Sequence, residues 1–306
     1  MPATEPGIVL RAQSGQYWVQ TDTGVVHCTI RGRLKQGRAT SDLAVIGDRV
    51  GVVRRDGEPG EGTLESVEPR RTRFARRQPG GRGRYKEDVL IANLDRLFVV
   101  FACSAPAMNP RLLDRFLVLA ELDGIDAHIV ANKRALVDEA DARAQFGPYA
   151  TLGYPVHYTD ALAGIGVHGL QESMRGQVSA FVGPSGVGKS SLLNVIQPGL
   201  GAAVGGLRES DATGRHTTRV AELFALEHGG YLADTPGIRE LAAFSLPADE
   251  LAGCFPEMRR HLGACRFADC GHDTEPGCAV KAAVEGGAIS AARYDSYLRI
   301  RRGDER

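Results

Sequence analysis

Residues Gly183 to Ser190, Gly-Pro-Ser-Gly-Val-Gly-Lys-Ser, constrain this chain more than any other stretch. They spell GxxxxGKS between an apolar run, VSAFV, and the helix-like SSLLNVI, the strand-loop-helix setting in which such a loop cradles phosphate. Glycines let successive backbone N–H groups turn toward the phosphate oxygens, and the first turn of the following helix adds partial positive charge. The expected nucleotide-binding residues are Gly183, Pro184, Ser185, Gly186, Val187, Gly188, Lys189, Ser190 and Ser191. Lys189 is placed to bridge the β- and γ-phosphates and to act in catalysis, and Ser190 to bind Mg2+.

A second phosphate-facing signal lies about 45 residues on, where GGYLADTPGI reads as a strand ending in Asp234-Thr-Pro-Gly237. Asp234 can hold the Mg2+ shell, and the Gly237 amide can sense the γ-phosphate. Between the two, the polar loop TGRHTTRVAEL offers Thr217 or Thr218 to Mg2+ when triphosphate is bound, which makes it a candidate switch. Ile238 stands where Ras-like enzymes place a water-orienting Gln. His216 is the nearby imidazole by sequence and the candidate for that work. Slow intrinsic hydrolysis, dependent on a partner that orders the switches, is the consequence.

Upstream of the phosphate loop, the strand AHIVA ends in Asn132-Lys133-Arg134-Ala135. This resembles the guanine-reading NKxD motif, in which Asn fixes the loop, the Lys stem lies over the base and Asp accepts from guanine N1–H and the 2-amino group. A methyl at 135 cannot accept those bonds, so discrimination of guanine should weaken. Asp138 is a candidate substitute. Tyr158, Thr159 and Asp160, after the next strand, sit where a base-contacting loop belongs. The order is base motif, base loop, phosphate loop, switch I, switch II. Ras-like GTPases start with the phosphate loop, so this order is a circular permutation, which is sterically possible when the old termini lie close together.

The rest of the chain divides by rhythm. Residues 1–69 read as short strands and Gly-rich turns, an OB-like RNA-binding barrel, although an SH3-like barrel fits the pattern nearly as well. Residues 70–88 read as a mobile basic linker, with eight basic side chains and no acid from Arg70 to Lys86. Residues 89–245 alternate strands and helices, as a mostly parallel sheet with crossovers does. Residues 246–306 read as a small helical zinc-binding domain. There Cys265, Cys270, His272 and Cys278 supply three thiolates and an imidazole, a closed tetrahedral set for one structural Zn2+.

The chain carries 37 basic and 37 acidic residues, but the first 88 residues hold 16 and 11 of them. The N-terminal third is therefore the expected polyanion-facing part. The C-terminal RYDSYLRIRR, with Arg293, Tyr294, Tyr297, Arg299, Arg301 and Arg302, combines cations with aromatics, although inward packing of Tyr294, Tyr297 and Leu298 is the favoured reading. No apolar run is long enough to span a bilayer, and a cytoplasmic location with no membrane partner is expected.

With GPSGVGKSSLLN, GRHTT, DTPGIRE and the cysteine cluster in this order, the chain resembles the ribosome small-subunit-dependent GTPase A family over essentially its whole length. The resemblance implies a barrel and zinc module that contact ribosomal RNA. It implies hydrolysis of GTP, with Mg2+, stimulated by the small ribosomal subunit during late maturation of that subunit, by a protein expected to be monomeric that cycles between GTP and GDP. Hydrophobic Ile238 matches the family; Ala135 departs from it. Competing readings are a relaxed-specificity NTPase or ATPase on the same scaffold, and an RNA-binding assembly module that uses nucleotide only as a switch.

Overall fold

A computed structural model describes residues 4–30, 43–79, 85–201, 221–234 and 248–304. Strands β1 (Glu5–Gln13), β2 (Gln16–Thr21), β3 (Gly24–Ile30), β4 (Arg49–Arg54) and β5 (Glu61–Val67) form the N-terminal unit. Their period-2 alternation sends Val9, Tyr17, Val19, Val26, Cys28, Val50, Val52 and Leu64 into one core. Antiparallel ladders join β1 to β2, β2 to β3, β1 to β4 and β4 to β5. The parallel β3–β5 pair closes the ring. The result is the expected OB-like five-stranded barrel, with its sheet edges consumed by closure.

The basic stretch departs from the mobile linker read in the sequence. β6 (Arg73–Pro79) and β7 (Tyr85–Ala92) pair as an antiparallel hairpin. Phe74, Ala75, Ile91 and Ala92 are buried in it, and Phe74 and Ile91 join the central core. The cations are answered from elsewhere in the chain: Arg70 is bidentate on Asp48, donating from Nε and Nη2 at 2.8 Å each, and Arg71 meets Asp95 at 2.7 Å. Arg77 pairs with Asp123 and Glu87.

Beyond the hairpin, β8 (Arg96–Ala102), β9 (Asp126–Asn132), β10 (Val156–Tyr158), β11 (Val178–Val182), β12 (Glu222–Ala225) and β13 (Tyr231–Asp234) order themselves β10-β9-β8-β11-β13-β12. All neighbours are parallel except β12, which runs antiparallel to β13 and also meets β1 through Arg11 and Glu222. Leu97 to Phe101 are at most 1% exposed, as a strand covered on both faces requires. The chain steps outward from β8 to β10 and then returns to place β11 on the other side of β8. That reversal opens a crevice at the carboxyl ends of β8 and β11, where ligands settle in sheets of this kind.

The C-terminal segment packs helices Pro256–Arg259, Ala279–Glu285 and Ala291–Arg302 around Phe255, Met258, Val280 and Tyr297. Val118 and Leu122, from the helix Pro110–Leu122, complete that core. Asn109 caps the same helix, its side chain accepting from the Arg111 and Leu112 N–H groups.

Candidate active site

The phosphate loop springs from the end of β11 into the helix Lys189–Ile196. Gly183 and Gly188 are in the left-handed half of conformational space (φ +138° and +94°), and a Cβ on Gly183 would sit 2.1 Å from the Val100 carbonyl oxygen. A Cβ on Gly188 would lie 2.4 Å from Asn132 Nδ2. Glycine at these two positions lets the loop lie directly on β8 and on the base motif. Lys189 Nζ donates to the Gly183 and Pro184 carbonyls at 2.7 and 2.6 Å, so its ammonium sits within the curve of the loop. Ser185, Gly186, Ser190 and Ser191 are exposed, whereas Val187 is buried.

The base motif and the base loop expected from the sequence meet the phosphate loop here. Asn132, 1% exposed, donates from Nδ2 to the Val187 carbonyl at 2.8 Å. Its Oδ1 accepts from the buried Thr159 hydroxyl at 3.2 Å. One side chain thereby ties the phosphate loop to both base loops. Lys133 adopts a left-handed conformation (φ 59°) and donates from Nζ to the Ala105 carbonyl. Arg134 N–H reaches the Thr159 carbonyl at 3.0 Å. Asp160 accepts from Ala135, Leu162 and Ala163 N–H groups at 3.1, 3.0 and 3.0 Å. Tyr158 lies under the Arg143 guanidinium, 5.6 Å from its ring centre. Asp138 is exposed and precedes the helix Glu139–Thr151.

Asp234 ends β13 two strands from β8, half-buried and opposite Glu222. His216, Thr217, Thr218, Gly237 and Ile238 lie outside the described residues.

The cysteine cluster assembles as the spacing suggests. The ligand atoms of Cys265, Cys270, His272 and Cys278 all lie within 4.8 Å of one another. Cys265 Sγ and Cys278 Sγ are 3.9 Å apart, and each is 3.5 or 3.4 Å from His272 Nδ1. Bonds of about 2.3 Å from sulfur and about 2.0 Å from nitrogen to a tetrahedral centre give edges of about 3.5–3.8 Å, so the set fits Zn2+. Ala279 N–H points at Cys265 Sγ and Lys281 N–H at Cys278 Sγ, as befits thiolates. Tyr294 and Tyr297 donate to the His272 and Gly271 carbonyls at 2.7 and 2.8 Å, bracing the knuckle from the last helix. These two tyrosines therefore pack inward.

Arg293 leaves the set of RNA-facing cations altogether, because it is 7% exposed and paired with Asp114 and Glu257. Arg299 and Arg302 are surface residues paired with Asp295 and Asp273. Sequence reasoning missed Asp114. An acid at a helix position whose i+3 and i+4 neighbours are Leu117 and Val118 is the signal that a buried cation must meet it.

Comparisons with known proteins agree with this geometry. A sequence model of the RsgA GTPase family matches residues 67–244. A relative from Gemmatimonas aurantiaca, described as small ribosomal subunit biogenesis GTPase RsgA, is 44% identical, covering 98% of each chain. One of the same description from Moorella thermoacetica is 41% identical over 95% of this chain and 94% of its own. Among solved structures, YjeQ from Thermotoga maritima superposes with a TM-score of 0.78 at 33% identity, covering 99% of both chains. YloQ, described as a circularly permuted GTPase, gives 0.75 at 29% identity over 99% of this chain and 96% of that one.

Proposed function

The chain belongs to the RsgA GTPase family, and on that premise we propose that it hydrolyses GTP in the biogenesis of the small ribosomal subunit. The observation that carries the reading is Asn132, which joins the base motif to the phosphate loop through Val187 and to the second base loop through Thr159. A nucleoside triphosphate then spans one rigid crevice, base at β9 and β10, phosphates at β11.

In that pose the loop N–H groups and Lys189 neutralise charge on the β- and γ-phosphates, where it builds up as the β–γ bond breaks. To do so, the ammonium exchanges its bonds to the Gly183 and Pro184 carbonyls for phosphate oxygens. Ser190 and Thr217 or Thr218 would hold Mg2+, with Asp234 ordering its water shell, and the ion would supply further positive charge beside the phosphates. The Gly237 amide is assigned to sensing the γ-phosphate and His216 to positioning water, since Ile238 cannot. Zn2+ on Cys265, Cys270, His272 and Cys278 would be structural, because four protein ligands leave no position for water.

The proposed partners are the small subunit, its rRNA, GTP and GDP, and the protein is proposed to act as a cytoplasmic monomer. The barrel and exposed cations such as Arg73 supply surfaces for RNA phosphates. Among the described residues no helix is long and apolar enough to cross a membrane.

The test is phosphate release from GTP with and without purified small subunits. Strong stimulation is expected for the wild type, and none for Lys189→Ala. A Lys189→Ala protein with full turnover, or a wild type indifferent to subunits, would overturn the reading.

A further inference from the structure

The base motif carries a contradiction. Its fourth residue is Ala135, yet the chain belongs to a GTPase family, and a guanine bound there presents N1–H and 2-amino donors that need an acceptor. Asp160, from the loop after β10, is an acid whose carboxylate accepts from the backbone of this loop. Its Oδ2 lies 3.1 Å from the Ala135 nitrogen, on the backbone of the residue whose side chain lacks the acceptor.

Three features make Asp160 more than a turn fastener. It is 5% exposed, a costly place for a carboxylate unless its oxygens are used. Oδ1 takes two N–H bonds within its own loop, from Leu162 and Ala163, whereas Oδ2 takes one. An ionised carboxylate offers about four acceptor positions, so one remains at Oδ2. The loop itself is held against the motif by Arg134 N–H on the Thr159 carbonyl and by Thr159 on Asn132, which fixes the carboxylate beside the base motif. Asp138, by contrast, is exposed at the start of the next helix.

We propose that Asp160 is the guanine-reading carboxylate of this protein: the remaining acceptor position of Oδ2 takes a hydrogen bond from the 2-amino group of the base, the acceptor having moved from position 135 to the neighbouring loop. This rests on the GTPase reading and adds a specificity determinant to it. The ordinary arrangement places the carboxylate on the motif; here the motif supplies a backbone N–H that orients a carboxylate from across the site.

The test is displacement of a fluorescent guanine diphosphate from the full-length protein by GDP, IDP, XDP and ADP. Wild type should prefer GDP to IDP and XDP by about tenfold or more, a difference of about 1.4 kcal/mol. Asp160→Asn replaces an acceptor with an N–H donor that suits the 2-oxo group of xanthine, so the XDP-to-GDP affinity ratio should rise by about tenfold or more. A wild type that binds GDP and IDP alike overturns the proposal. So does an Asp160→Asn protein that loses all four nucleotides in equal measure, because a turn fastener would behave that way. Should Asp160→Asn not fold, Ala135→Asp decides. A second carboxylate beside Asp160 should weaken GDP binding if the acceptor is already present, and sharpen the preference for GDP over IDP if it is not. Failure of the wild type to bind any of the four would instead defeat the GTPase reading itself.

Discussion

Arg293 and Asp114, 179 residues apart in the chain, meet at 2.5 Å with side-chain exposures of 8% and 1%. The same guanidinium donates to both oxygens of Glu257, at 2.7 and 3.3 Å, and lies 4.6 Å over the ring of Phe255. Tyr149 closes the group by donating to Asp114 at 2.9 Å, and burial, reinforced by the nearby acid, pushes its hydroxyl pKa up. One cation thus fastens the last helix of the metal module to the helix Pro110–Leu122 of the nucleotide-binding core and to the module's own helix Pro256–Arg259. Replacing it with Met would strand two buried carboxylates. Loss of one partner from a buried pair costs about 3–5 kcal/mol, so Arg293→Met should lower urea-unfolding stability by that order, and a loss below about 1 kcal/mol would contradict the assignment.

Gly183→Ala tests how closely the phosphate loop lies on β8. The added methyl would meet the Val100 carbonyl at 2.1 Å from a backbone angle of φ +138°. Strain of this kind costs about 1–3 kcal/mol before the clash is counted. Nucleotide binding by calorimetry should be lost, with thermal stability reduced. Retained binding at wild-type affinity would show that the loop can sit off the strand.

Metal removal should act on the fold of the C-terminal module before it acts on nucleotide chemistry. Cys265, Cys270, His272 and Cys278 hold a segment whose core is small and partly borrowed from Val118 and Leu122. We expect one zinc per chain by atomic absorption. Chelation, or Cys278→Ser, should abolish the module's thermal transition. GDP affinity should change far less. An unchanged transition after complete metal loss would exclude a structural role.

Acid should destabilise the sheet through His128 and His157. Their rings stack with centres 5.2 Å apart, and His128 Nδ1 lies 2.9 Å from His157 Nε2 while its Nε2 faces Asp126 at 3.0 Å. A carboxylate only accepts, so neutral His128 carries its proton on Nε2 and accepts from His157 Nε2–H. Burial, reinforced by His128 and Arg96, holds His157 down to about 4; burial also lowers His128, against the pull of Asp126. The unfolded chain therefore binds protons first. Stability from His157 is full above pH 6.5 or so and is lost as the pH falls toward 4, by up to about 1.4 kcal/mol per pH unit for one proton. Unfolding midpoints measured from pH 7.5 to 4 should show this slope, and His157→Gln should flatten it. An identical slope in the variant would assign the acid sensitivity elsewhere.

The legible parts of the protein were those in which the chemistry is contiguous. The phosphate loop needs consecutive residues between a strand and a helix, and the metal knuckle closes over fourteen residues, Cys265 to Cys278. The barrel showed in its alternation, although its closure depended on β3 meeting β5 in parallel. The hairpin was hidden because its basic residues, taken alone, describe a solvated tether. Asp48, Asp95 and Asp123, all remote in sequence, turn three of those cations into structural partners.

Sequence alone determined the order of the motifs, and hence the permuted nucleotide-binding core, because phosphate and metal ligands must stand at fixed short spacings on the chain. It also determined that position 135 offers no acceptor. Tertiary structure decided which groups face one another across loops: Asp160 against Ala135, Asn132 against Val187, Arg293 against Asp114. The physical reason is that burying a charge or an amide is affordable only beside its partner. That partner is selected by the packing of strands and helices, and distance along the chain carries no trace of it.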